Sequence, residues 1–298
     1  MIAMNKSKKI FLHAYRIILH KFSFGYGVSK HWPFNKIIKQ IESFFVERSV
    51  KIQGHIMFLD KNDNLGLSIN PIYGESDTEL VQKIIKKNYI VLDIGANIGY
   101  YTLIFAKLVG DSGKVFSFEP ESENFKILKK NVEINGYNNV ILEQKIVSNI
   151  DGKSTLYVSK KAGSHRIYKP DYYVESLEIE SISMDSYIEK NNIKKIDFIK
   201  IDVEGAELNV LQGIQKILDS NEHIILFSEF SPNQIKSCGL EPTNMINFLI
   251  HNRFKIYSAQ IKKHKITFLD FEKIYSSNNY DNKTINLICS RSSIDNIL

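Results

Sequence analysis

Four carboxylates stand where an apolar run stops and a turn begins. Asp93 ends "IVLD" and leads into "IGANIG", in which Gly95 and Gly99 bracket Ala96 and Asn97. Glu119 ends "VFSFE", 26 residues after Asp93. A glycine turn between strand and helix lets a ligand approach the backbone and meets it with helix N–H groups. A carboxylate at the end of the next strand can accept from both hydroxyls of a ribose. Asp93, Gly95, Ala96, Asn97, Gly99 and Glu119 therefore read as a ribonucleoside site.

The other two carboxylates belong to a second group. "DFIKIDVEGAE" ends a strand at Asp202 and sets Glu204 and Gly205 on the turn after it, and "FSEF" ends a strand at Glu229. Neighbouring strands would bring Asp202, Glu204 and Glu229 to one sheet edge, with Lys200 on the same side as Asp202. Converging carboxylates repel unless a positive group or a proton sits among them. A positively charged ligand, a divalent metal or a proton shared with a substrate hydroxyl could fill that place. No histidine joins the cluster by spacing, so no metal centre is expected. Asp202 or Glu204 is the candidate base toward a hydroxyl, with Glu229 in support. His165 in "GSHRIYKP" is a further candidate base, and Arg166 beside it a candidate ligand for a phosphate.

These residues need strands that end on one side of a sheet. "IVLDI", "KVFSFE" (114–119), "VILEQKIVS" (140–148), "DFIKIDV" (197–203) and "HIILFSEF" (223–230) alternate with helical stretches at 98–109, 121–135, 206–219 and 242–252. That alternation implies an α/β fold with a mostly parallel sheet and helices on both faces. "STLYVS" (154–159) and "VESLEIESISM" (174–184) alternate instead as an antiparallel insertion. "FKIYSAQ" (254–260) and "TINLICS" (284–290) are late strands. Before the series, 50–60 and 65–69 read as a hairpin turning at "KNDN", and 77–88 as a helix capped by Ser76 or Asp77.

The chain has 298 residues and a net charge of +6, but the charge is unevenly placed. Residues 1–51 hold ten Lys or Arg against two acids, leaving 29 against 31 in the rest. A nucleic-acid groove over the main body is therefore not expected. In "KSKKIFLHAYRIILHKFSFGYG", Phe11, Ala14, Tyr15, Ile18 and Phe22 share one helical face. Such a basic amphipathic helix can lie on an anionic membrane surface, or pack on the main domain or a partner subunit. It is too interrupted to span a bilayer. Two cysteines without a C-x-x-C pattern make a reducing cytosol the default, with the inner membrane face as the variant that the basic helix suggests.

The turn D-x-G-x-x-x-G departs from the G-x-G-x-x-G of nicotinamide sites. It resembles the nucleoside turn of class I S-adenosylmethionine-dependent methyltransferases. "VLDIGANIGYYT", "VFSFEPESENFKILKKNVEINGYNNV" and "DFIKIDVEGAELNVLQG" together resemble the FkbM family of methyltransferases, from about Gly74 to Phe230. The resemblance implies a Rossmann-like, seven-stranded sheet and S-adenosylmethionine as cofactor. It also implies methyl transfer to a hydroxyl of a sugar, glycan or natural product. Asp93, Gly95, Asn97 and Gly99 match the cofactor turn, Glu119 the ribose acid, and Ser148 the strand nearest the adenine. The chain is expected to divide into a basic amphipathic extension, 1–49, and a methyltransferase domain, 50–298, of which residues 1–50 and those after 240 lie outside the resemblance. Neither the Pro-Pro tetrapeptide of amino-directed enzymes nor the proline-preceded cysteine of cytosine-C5 enzymes occurs, which turns the expectation away from nucleic acid. A non-catalytic cofactor-binding scaffold and a nicotinamide oxidoreductase are the competing classes.

Overall fold

The computed structural model describes residues 49–159, 165–262, 265–270 and 284–293. The expected N-terminal amphipathic helix lies outside the described residues. Among those described, no helix is long and apolar enough to cross a membrane. The chain divides into two compact units, Met1–Tyr73 and Gly74–Leu298.

In the first unit β1 (Ser49–Ile52) pairs antiparallel with β2 (His55–Phe58). Gln53 (φ 49°) and Gly54 (φ 88°) make the two-residue left-handed turn that suits the twist of a hairpin. The hairpin is thus shorter than expected, and 65–69 forms no strand. Residues 60–68 fold instead around two acids. Asp60 accepts from the N–H groups of Asn62 and Asn64, and Asp63 from those of Leu67 and Ser68. Local side-chain acceptors have outcompeted a ladder there.

The second unit is built on one large sheet. Its strands in chain order are β3 (Ile90–Ile94), β4 (Lys114–Phe118), β5 (Val140–Glu143), β9 (Phe198–Ile201), β10 (Ile225–Phe230), β11 (Lys255–Lys262), β12 (Lys265–Asp270) and β13 (Ile285–Ser290). The spatial order is β12-β11-β13-β10-β9-β3-β4-β5. β5, β4, β3, β9 and β10 are mutually parallel, whereas β13 runs against both β10 and β11. These seven strands are the Rossmann-like sheet expected, and β12 adds an eighth by pairing with β11. Successive residues of β9 and β10 are buried on both faces, as in a sheet covered on both sides. From β3 the chain moves outward through β4 and β5, then returns to β9 on the other flank. The switch point, where such sheets bind ligands beyond their strand ends, therefore lies between β3 and β9.

The helices that matter here are α1 (Glu75–Ile84), α2 (Tyr100–Val109), α3 (Ser122–Ile134), α4 (Met184–Lys190), α5 (Glu207–Gln212), α6 (Gln215–Ser220), α7 (Pro232–Ser237) and α8 (Pro242–His251). Gly74, not Ser76 or Asp77, precedes α1, and no side chain caps it. The single helix expected over 206–219 is broken at Gly213, where a Cβ would stand 2.2 Å from the Ser148 carbonyl oxygen. Asp185 of α4 then supplies the start of α6 by accepting from the N–H groups of Lys216 and Ile217. The strand expected over 140–148 also divides. β5 closes the large sheet, while β6 (Ile146–Val147) joins β8 (Glu175–Ile182) and β7 (Gly152–Val158) in a small sheet. Lys145 pins the corner through ion pairs to Glu143 and Glu180. β7 and β8 are the antiparallel insertion, in register at Leu156 and Leu177.

Candidate active site

The turn after β3 is held from three sides. The N–H groups of Gly95 and Ala96 both donate to the Phe118 carbonyl at the end of β4, at 3.0 and 2.9 Å. Asn97 sits in the left-handed region (φ 51°), and its N–H donates to Glu119 Oε2 at 2.8 Å. The other oxygen, Oε1, accepts from Glu121 N at 3.0 Å. Glu119 thereby ties the glycine turn to the end of β4, and burial pushes its carboxyl up to about 7. Glu121 in turn caps α3 by accepting from the N–H groups of Glu123 and Asn124.

The two glycines serve the fold before any ligand. A Cβ on Gly95 would lie 1.8 Å from the Asp202 carbonyl oxygen, and one on Gly99 would lie 2.7 Å from Leu128 Cδ1. The close approach they permit is thus internal: β9 against the turn, and α3 against the start of α2. Helix α2 begins at Tyr100, two residues after the expected start.

Asp93 is fully buried and faces protein. Thr102 Oγ1 donates to its Oδ2 at 2.6 Å, and Lys200 Nζ stands 3.4 Å from its Oδ1. Lys200, on β9, also donates to the Gly95 carbonyl at 3.1 Å and stands 3.4 Å from Asp202 Oδ2. Its ammonium lies over the Tyr101 ring, 5.7 Å from the centroid. One buried cation therefore links Asp93, the glycine turn and Asp202. Burial lowers its pKa, but the two aspartates outweigh that effect and raise it, so it stays charged.

The second cluster assembles because β9 and β10 are parallel neighbours, paired up to Ile201 and Ser228. The next residue on each strand is a carboxylate, Asp202 and Glu229. The Asp202 side chain is 37% exposed, which leaves it open to a substrate. Glu229 Oε2 is buried without a hydrogen-bond partner among the described residues. Burial, then the charges of Asp202, Glu207 and Glu204, push its carboxyl up to about 9, so it carries a proton at neutral pH. Glu204 occupies a left-handed position (φ 59°) and accepts from Gln234 Nε2 of α7. Gly205 is needed beside it, since a Cβ there would meet Cys238 Sγ at 2.8 Å. Both cysteines are buried, and neither is in a disulfide.

Two participants were not singled out in the sequence. Glu207 is fully buried, and its Oε1 accepts from the N–H groups of Val203 and Gly205 at 3.2 and 3.1 Å. Its carboxyl is pushed up to about 7 by burial, and its Oε2 has no partner among the described residues. Gln234 stands on a six-residue helix that no sequence period announced. The third carboxylate of "DVEGAE" was the available signal for Glu207, but it reads equally well as an ordinary helix residue.

Ser148 stands apart from this cluster. It follows β6 on the small sheet, and its hydroxyl donates to Asn149 Oδ1 at 3.2 Å, with Gly213 against its carbonyl. His165 is not arranged as a base: its Nδ1 accepts from Ser159 N at 3.1 Å, so the lone pair a base would use is occupied. Among the described residues no group of three or more His, Cys, Asp or Glu could hold a metal ion.

The family described as the methyltransferase FkbM domain matches residues 93–256 of this chain. Hexuronic acid methyltransferase AglP of Haloferax volcanii is 29% identical over 161 residues, which cover 53% of this chain and 64% of that protein. Methyltransferase 1 of Beauveria bassiana is 27% identical over 144 residues, covering 42% and 57%. The chain thus spans less than two thirds of the length of these two relatives. Among solved structures, the precorrin-6y C5,15-methyltransferase of Geobacter metallireducens superimposes with a TM-score of 0.44 at 10% identity, over 74% of this chain and 89% of that one.

Proposed function

The chain belongs to the FkbM family of S-adenosylmethionine-dependent methyltransferases, and from that premise we propose that it methylates a hydroxyl of a sugar, glycan or small natural product. The observation that carries the reading is the pair of acidic strand ends flanking one switch point, Glu119 bound to the glycine turn and Asp202 beside Glu229. The residues fit the cofactor. Glu119 keeps accepting capacity on both oxygens for the ribose hydroxyls, because each oxygen uses one lone pair on a backbone N–H. The acidic group around Glu229, with one buried carboxyl oxygen unpartnered, suits a cationic neighbour.

When bound, S-adenosylmethionine supplies an electrophilic methyl group on a positively charged sulfur. Asp202 would accept the hydroxyl proton as the acceptor oxygen takes the methyl and the methyl–sulfur bond breaks, a role worth ~10²–10⁴-fold in rate for a well-placed carboxylate. Lys200 holds the Asp202 carboxylate in place and ties it to the cofactor turn. Glu229, protonated at neutral pH, adds no further negative charge beside Asp202. Glu204 and Gln234 border the acceptor side. The relative named for hexuronic acid acts on an acidic sugar, which supports a sugar hydroxyl as the acceptor class. Arg166 on the insertion is the cation that would meet such an acid.

Methyl transfer from labelled S-adenosylmethionine to uronic acids, nucleotide-sugars and hydroxylated small molecules tests the reading. Asp202→Asn should lose turnover by at least about a hundredfold while S-adenosylhomocysteine binding stays within about twofold. Wild-type protein that fails to bind S-adenosylhomocysteine would refute it.

A further inference from the structure

Residues 165–168, His-Arg-Ile-Tyr, form a short strap fixed to β7. Tyr157 N donates to the Arg166 carbonyl at 2.7 Å, and Arg166 N returns a bond to the Tyr157 carbonyl at 3.1 Å. Neighbouring residues of an extended segment point to opposite sides. Arg166 takes the acceptor side, where its Nη1 donates to Ser237 Oγ at the end of α7, at 3.2 Å. Farther along, Tyr168 OH donates to Asn209 Oδ1 of α5 at 3.0 Å. His165 takes the other side, close enough to the Glu121 carboxylate to feel its charge. Glu121 stands two residues beyond Glu119 and donates its N–H to it.

The hydrogen bond at one end of the imidazole decides what the other end can do. Ser159 N donates to His165 Nδ1, which must therefore be unprotonated. Burial holds the pKa of the ring below its usual value, so the ring is neutral. Its one hydrogen then sits on Nε2. That Nε2 is buried and has no partner among the described residues. A buried N–H without an acceptor is costly, and native structures rarely leave one unless a ligand or water completes it.

We infer that His165 is a cofactor ligand and not the base: its Nε2–H donates to an acceptor atom on the ribose or adenine of S-adenosylmethionine. The inference rests on the reading of the Asn97–Glu119 end as the nucleoside site. It gives the insertion two faces, His165 toward the cofactor and Arg166 toward the acceptor. A change in the strap would then alter cofactor affinity as well as acceptor choice.

Isothermal titration with S-adenosylhomocysteine and, separately, with adenosine tests this on the full chain. In His165→Asn the amide oxygen can still take the Ser159 N–H, but the Nε2 donor is gone. Its dissociation constant should rise by about tenfold for both ligands, the order expected for one buried hydrogen bond. In His165→Gln the amide N–H₂ reaches toward the Nε2 position, and affinity should recover part of that loss. Equal affinities in wild type and His165→Asn would overturn the inference while leaving the nucleoside site standing. A lowered melting temperature in both variants with unchanged affinity of the folded protein would assign His165 a structural role instead. Wild-type protein that binds neither ligand would overturn the nucleoside reading itself.

Discussion

Replacing Glu119 and varying the pH probes the cofactor end most directly. The carboxyl is buried, and its pKa is pushed up to about 7 from the usual 4.5. Ribose hydroxyls donate to the ionised form, so affinity should follow the ionised fraction. With a pKa of about 7, roughly one molecule in eleven is competent at about pH 6 and ten in eleven at about pH 8. The dissociation constant for S-adenosylhomocysteine should therefore fall about tenfold between those values, or about 1.4 kcal/mol. The same shift acts on stability. The folded protein holds this proton between about 4.5 and 7 while the unfolded chain has released it, so stability contributed below 4.5 is lost as pH rises through 7. The ligand-induced rise in melting temperature should accordingly be larger at about pH 8 than at about pH 6. In Glu119→Gln the amide accepts only through its oxygen, so one of the two N–H groups from Asn97 and Glu121 loses its partner. Affinity should drop, and the pH slope attached to this residue should vanish. Titration calorimetry across the range reads both. A flat wild-type profile, or an unchanged slope in Glu119→Gln, would refute the reasoning, because Glu207 titrates in the same window and would then be responsible.

Lys200→Met keeps most of the side-chain volume but leaves Asp93 buried without its cation, and should cost about 3–5 kcal/mol in urea unfolding at neutral pH. Gly95→Ala forces a Cβ to within 1.8 Å of the Asp202 carbonyl at a φ of 78°, so β9 and the turn must separate. A loss above about 3 kcal/mol together with loss of S-adenosylhomocysteine binding is expected. Glu229→Gln removes a group whose folded pKa of about 9 drains stability as pH rises from 4.5. Its melting temperature should fall less steeply than that of wild type between about pH 5 and about pH 9.

The large sheet was readable because its central strands are short apolar runs closed by turn residues, and "IVLDIGANIG" is unambiguous in that respect. Convergence of Asp202 and Glu229 followed once their strands were taken as parallel neighbours, since strand ends then fall side by side. What escaped reading depends on contacts far apart in sequence. Gly213 looks like a tolerated helix glycine until Ser148 is found against it, some 65 residues away. The break after Glu143 comes as Ile146 and Val147 leave the large sheet to pair with Ser181 and Ile182 on another. Local acceptors misled the reading of "KNDN", where Asp60 and Asp63 gather the backbone into loops. The site followed the same pattern. Carboxylates at strand ends were legible, but the tautomer of His165 was not, because it is set by the backbone N–H of Ser159.

The arrangement of charge around β9 explains why one lysine stands among so many acids. Asp93 and Asp202 are each 3.4 Å from Lys200, and Glu207 and Glu229 lie within reach of the Asp202 charge. Lys200 can neutralise only one charge, and it is already shared between two aspartates. Burial is the larger reason that Glu229 is raised to about 9 and Glu207 to about 7, and the remaining negative charge adds to it. A sulfonium brought next to this group would favour the ionised carboxylates and release protons from them. After transfer the sulfur is neutral, and that stabilisation is gone. On the proposed function, the acidic cluster would favour the charged cofactor over its neutral product and so help the product leave, while Lys200 would keep Asp202 and the glycine turn in place for the next cycle.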